Sequence, residues 1–127
     1  MASPLPTEEL AQIAKSACET ALGSVQKYEH ASVTEWNTQI INTILQSLIE
    51  KTSTGEDKVP GYKYITNSTI IQHIGSPSES QASGRRGMHS AVGAYWNNEK
   101  DGTYSYKWEG AEKIGMDIVI SITWIAL

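Results

Sequence analysis

The chain predicts an α+β domain in which two amphipathic helices precede four antiparallel strands and cover one side of the sheet. Three observations carry that expectation. Apolar residues recur at spacings of three and four as far as Lys51, and from Tyr62 onward the period falls to two. The helical segments all come before the strands, the order of an α+β chain rather than an alternating α/β one. Asp101-Gly102 then punctuates the strand region with a turn signal that suits a hairpin.

Residues 1–6, with Pro4 and Pro6, read as a flexible tail, and 7–127 as one domain. Thr7 stands where a helix N-cap belongs, followed by Glu8 and Glu9, whose charge suits the first turn. Leu10, Ile13, Ala14, Ala17, Ala21, Leu22 and Val25 follow as one apolar face of about four turns, with Gly23 as the stop. Ser32 and Glu35 have the spacing of a capping box for a second helix carrying Val33, Trp36, Ile40, Ile41, Ile44, Leu45, Leu48 and Ile49. Lys51 closes it, and Thr52 to Gly61 is a loop by composition. Tyr62 to Ile74 is rich in β-branched and aromatic residues and reads as the first strand. Gly75 to Arg86 is a Ser- and Gly-rich connection, and Gly87 to Asn97 the second strand. In the third, Tyr104, Tyr106 and Trp108 alternate with Thr103, Ser105 and Lys107. In the last, Ile114, Met116, Ile118, Ile120, Ile122 and Trp124 share one face, and Asp117, Ser121 and Thr123 the other.

Composition narrows the function classes. The 127 residues carry 39% apolar and 19% charged side chains, an ordinary globular balance for one core. Ten Lys and Arg against fourteen Asp and Glu give a formal charge of -4, so no basic field invites nucleic acid. Residues 114–127 are too short, and with Asp117 too polar, for a membrane-spanning helix, which takes about 20 apolar residues. No secretory signal is visible, and the single cysteine, Cys18, suits a reducing, intracellular compartment. His30, His73 and His89 fall in separate segments without metal-ligand spacing, so neither a metal nor another cofactor is expected. Cys18 reads as a small core residue, and no carboxylate pair marks a general acid and base. Arg85-Arg86 beside Ser76, Ser78, Ser80 and Ser83 reads as a solvated loop, with modification as the sharper alternative.

A four-stranded sheet leaves two edges, and exposed edges invite pairing with another chain. Met88 to Trp96 carries no Lys, Pro or acidic residue to blunt such an edge, so it is more comfortable covered by another subunit or by an added peptide strand. The twelve-residue connection before it is long for a hairpin, and its reach allows exchange between subunits.

Seven short runs in this order resemble the Tctex-type dynein light chain family. They are Val33-Thr34-Glu35-Trp36, Tyr62-Lys63-Tyr64-Ile65, Ile70-Ile71-Gln72-His73-Ile74-Gly75 and Gly87-Met88-His89-Ser90, then Tyr95-Trp96, Asp101-Gly102 and Lys107-Trp108-Glu109. The resemblance spans residues 7–127, with the loops Thr52 to Gly61 and Ser76 to Arg86 longer than the family usually shows. It implies a cytoplasmic homodimer of two helices on a four-stranded sheet whose second strand is exchanged between subunits. It also implies a noncatalytic light chain of cytoplasmic dynein, binding an intermediate-chain segment by strand addition and linking cargo peptides to the motor. The implied peptide site is Met88, His89, Ser90, Ala91, Val92, Gly93, Ala94, Tyr95 and Trp96, with main-chain groups supplying most hydrogen bonds. Two alternatives stand beside it: an adaptor of the same fold serving an axonemal motor or none, and a small dimeric enzyme with His89 at the subunit interface.

Overall fold

Helical spacing of apolar side chains builds α1 (Thr7–Leu22) and α2 (Val33–Thr52) in the computed structural model, which describes residues 3–73 and 88–127. A short 3-10 turn (His30–Ser32) leads into α2. Strands β1 (Ser53–Thr54) and β2 (Val59–Pro60) form a small ribbon. The main sheet consists of β3 (Tyr62–Gln72), β4 (Gly102–Trp108) and β5 (Met116–Ala126), with a second 3-10 turn (Glu109–Ile114) joining the last two. The strand order is β3-β5-β4, antiparallel throughout, so the last strand of the chain is the central one.

Alternation along β5 decides where the core sits. Met116, Ile118, Ile120, Ile122 and Trp124 are buried under the helices, while Asp117, Val119, Ser121 and Thr123 turn to the other face. Against them pack Leu10, Ile13, Ala17, Cys18 and Leu22 of α1 and Trp36, Ile40, Ile44 and Leu48 of α2. Each fully buried aliphatic side chain contributes about 1.5–3 kcal/mol, so the β5 isoleucines dominate the sheet's hold on the helices. α1 lies over β4 and α2 over β3. The apolar stripe of α2 is wider than the core needs: Ile41 and Leu45 are half-buried and Ile49 is 48% exposed.

Several local expectations are corrected. Pro6, extended at φ -57 and ψ 149, occupies the N-cap of α1, and its carbonyl accepts from the Glu9 and Leu10 amides; Thr7 is already helical. Ser32 ends a 3-10 turn at φ -101 and ψ -8, so its side chain lacks the extended backbone that a capping box requires, and none forms with Glu35. Ile114 belongs to the second 3-10 turn, not to the last strand, because Gly115 at φ 78 breaks the chain between them.

The main sheet has three strands among the described residues, and residues 88–96 of the expected second strand pair with nothing among them. The β3–β5 and β4–β5 ladders use one side each of β3 and β4 and both sides of β5, and no backbone bond joins 88–96 to either edge. Asn97 to Asp101 does turn, through amides of Lys100 and Asp101 donating to the Asn97 carbonyl, but the turn joins no paired strands. Ile74, Gly87 and the Ser76 to Arg86 loop, with its serines and arginine pair, lie outside the described residues.

Candidate functional site

Backbone accounting locates the open edges. The Leu127 amide donates to the Gly61 carbonyl at 3.0 Å and the His73 amide to the Gly115 carbonyl at 2.9 Å, at the two ends of the β3–β5 ladder. Antiparallel pairs alternate between bonded and non-bonded, so odd-numbered residues from Lys63 to Ile71 spend their amides and carbonyls on β5. The six even ones, Tyr62, Tyr64, Thr66, Ser68, Ile70 and Gln72, point theirs away from the sheet. On β4 the same alternation leaves only Thr103, Ser105 and Lys107 pointing outward. The β3 edge, eleven residues long, is therefore the longer template and can accommodate a nine-residue strand.

α2 stands over that edge. The Ser68 hydroxyl donates to Asn37 Oδ1 at 2.7 Å, and Thr52 Oγ1 lies 2.6 Å from the Tyr64 hydroxyl. On the helical wheel Ile41 falls between Asn37 and Thr52 and Leu45 about 20° beyond Thr52, so these two half-buried residues lie on the β3 side of α2. Side chains of a strand added to β3 would meet them.

The segment 88–96 supplies edge-seeking backbone. Val92 is 70% exposed and Tyr95 fully so, an unusual run of exposed apolar side chains. Met88, Ser90, Ala91 and Val92 lie across the helix-free face of the sheet. There they enclose a cleft of about 370 Å³ with Ile65, Asn67, Thr69, Thr103, Ser105, Val119, Ser121 and Thr123. His89, Gly93, Ala94 and Tyr95 stand outside that cleft, and the Trp96 indole donates to Asn98 Oδ1 at 2.9 Å. The nine residues expected to form the site thus occupy one continuous stretch, 88–95 exposed and Trp96 half-buried, of which only Met88, Ser90, Ala91 and Val92 line the cleft. The β3 edge was missed by sequence reasoning, since no residue in it announces that β5 pairs on one side only.

The cleft face is mostly hydroxyl and amide. Thr123 Oγ1 donates to Thr103 Oγ1 at 3.1 Å. At one end His73 Nε2 lies 2.7 Å from Asp117 Oδ2, and Lys107 Nζ reaches Asp117 at 3.5 Å and Glu112 at 3.3 Å. Burial works against the charge on Lys107, but the Glu112 hydrogen bond and the Asp117, Glu109 and Glu112 charges outweigh it and raise its pKa. His30 Nδ1 is 2.8 Å from the Tyr28 hydroxyl. Among the described residues no three His, Cys, Asp or Glu side chains gather as a metal site, and no helix is long and apolar enough to cross a membrane.

Cys18 sits in the core, where burial, with the Glu19 charge adding, pushes its thiol up to about 12. A raised pKa keeps the folded thiol protonated and hence a poor nucleophile. Cys18 should therefore resist iodoacetamide in the native protein at pH 8 and react only after unfolding in urea; rapid native labelling would contradict its placement. The same shift has a stability consequence. Its contribution is complete below the unfolded value of 9.0 and is lost as pH rises from there toward 12.

Residues 4–125 match the model of the Tctex-1 family. The chain belongs to the Tctex-1 family. One relative, a dynein light chain Tctex-type from Schizosaccharomyces pombe, is 32% identical over the full length of both chains. A dynein light chain Tctex-type from Dictyostelium discoideum is 31% identical over 94% of this chain and 89% of its own. Topoisomerase I damage affected protein 2 of Zygosaccharomyces rouxii is 27% identical over 98% of this chain and 89% of its own. The family's match spans both helices, the segment 88–96 and nearly all of β5, so the open edge and the unpaired segment both fall inside it.

Proposed function

We propose that the chain is a noncatalytic dynein light chain that works as a strand-exchanged homodimer associated with the microtubule cytoskeleton. Each copy places residues 88–96 on the open β3 edge of the other, completing a fourth strand. The far edge of that strand takes an extended segment of the dynein intermediate chain, and cargo peptides use the same tolerant main-chain template. One observation carries this reading. A chain that leaves β3 open along its whole length also holds a nine-residue segment, exposed from 88 to 95 and free of Lys, Pro and acidic residues, in reserve. The names of its relatives supply the motor.

The energetics fit a two-site adaptor. An intermediate-chain segment that orders on binding loses conformational entropy, so a single peptide binds modestly. A dimer holding two tethered peptides gains from an effective concentration that reaches about millimolar for short flexible links. Titration of a fluorescent intermediate-chain peptide into the purified protein tests the proposal, alongside light scattering. A mass near two chains of 13.9 kDa and saturable binding of one peptide per chain are expected. A monomer at micromolar concentration, or no saturation, rejects it.

A further inference from the structure

We infer that Asp101 is a positioning residue for strand exchange: it clamps the exit of the segment 88–96 to the end of the central strand and so sets the direction in which that segment leaves the subunit. The inference rests on the strand-exchange reading above and concerns a residue outside the binding strand.

Asp101 is 5% exposed, the one buried polar or charged side chain among the described residues. Its carboxylate bridges two parts of the chain. Oδ2 accepts from the Asn97 amide at 2.8 Å, and Oδ1 accepts from the Ala126 amide at 2.7 Å. The second bond has a clear origin in the ladder. β4 begins at Gly102, opposite Trp124, so the next inward-facing amide on that side of β5, Ala126, has run past its partner strand. The Asp101 side chain takes the place of the missing carbonyl. Ala126 is also paired across β5 with Tyr62, the first residue of the β3 edge.

The first bond transmits that anchorage to the segment. Asn97 is the residue directly after it, and its own groups are saturated locally. The Asn97 carbonyl accepts from Lys100 and Asp101, and Asn97 Oδ1 accepts from the Glu99 amide at 2.9 Å. The exit of the segment is therefore a knotted turn bolted to β5 through one carboxylate, and charge-assisted bonds of this kind are the strong ones. A segment held at one end in a fixed direction loses less freedom when it docks on another subunit than one on a loose tether.

Asp101→Asn in the full-length chain tests this. The amide nitrogen cannot accept, so one of the two backbone donors is left buried and unpaired while shape is kept. The dimer dissociation constant from a sedimentation dilution series should rise about tenfold, and no less than about threefold, because a segment released at its exit has more freedom to lose on docking. Hydrogen exchange protection along the β3–β5 ladder should stay as in the unsubstituted chain, whereas whichever of the Asn97 and Ala126 amides faces the new amide nitrogen should exchange faster. A smaller change in a folded protein overturns the inference. Loss of ladder protection together with the dimer also overturns it, because Asp101 would then serve the fold alone. An unsubstituted chain that is monomeric at micromolar concentration instead rejects the strand-exchange reading itself.

Discussion

Gly93→Pro abolishes binding of an intermediate-chain peptide at concentrations that saturate the unsubstituted protein. Gly93 lies mid-segment, and a Cβ built on it meets nothing within 4 Å in the single subunit. The Cβ therefore has space, and because 88–96 makes no ladder bond within the chain, the three-stranded sheet keeps its pairing. What changes is the backbone: proline removes a donor and fixes φ near -65° in a strand that must bond on both sides. One side would bond to the partner's β3 and the other to the peptide, so a missing donor at the centre damages whichever it faces. Fluorescence anisotropy reads the loss, with circular dichroism confirming that helix content is unchanged. Normal binding by the folded variant would mean that 88–96 is not the template.

Thr66→Pro should turn the protein into a folded monomer. Thr66 is one of the six β3 residues whose amide points away from β5, so proline there costs no bond within the sheet. Its hydroxyl is buried without a hydrogen-bond partner among the described residues, so replacing the side chain sacrifices none there either. Proline is tolerated on an edge strand when the lost donor faces outward, and the folded subunit should shift in stability by only about 1 kcal/mol. The same ring blocks an incoming strand at the middle of the edge. Asn67→Pro, one residue along, removes a β3–β5 bond and should lower unfolding stability instead. Sedimentation and urea unfolding on the pair separate the two effects. A Thr66→Pro dimer as tight as the unsubstituted one would place the exchanged strand elsewhere.

How far the sequence carries the fold depends on which interactions are local. The stripes of α1 and α2 and the alternation of β5 are legible because periodicity reports a face directly: Ile40, Ile44 and Leu48, and Ile118, Ile120 and Ile122, are all fully buried. Ends are less so. Ser32 and Glu35 have the right spacing for a capping box, but the backbone angles of Ser32 are set by the preceding 3-10 turn. Asp101-Gly102 reads as a hairpin turn because that pair favours one, yet the Asp101 carboxylate is committed to Ala126, twenty-five residues away. Strand order is the deepest gap. That β5 lies between β3 and β4, leaving six outward-facing residues on one edge and three on the other, follows from tertiary packing and from no single motif. The segment 88–96 reads as an unprotected strand in the sequence but forms none within a single chain. Its proposal as a binding site comes from the resemblance of runs in and around it to one family.

The decisive measurement is an isotope-filtered nuclear Overhauser experiment on a refolded mixture of labelled and unlabelled chains. Backbone protons of 88–96 in one chain should show contacts to Tyr64, Thr66 and Ser68 of the other, at the short separations of an antiparallel ladder. Finding those contacts only within a single chain, or none across the mixed pair, would contradict the account.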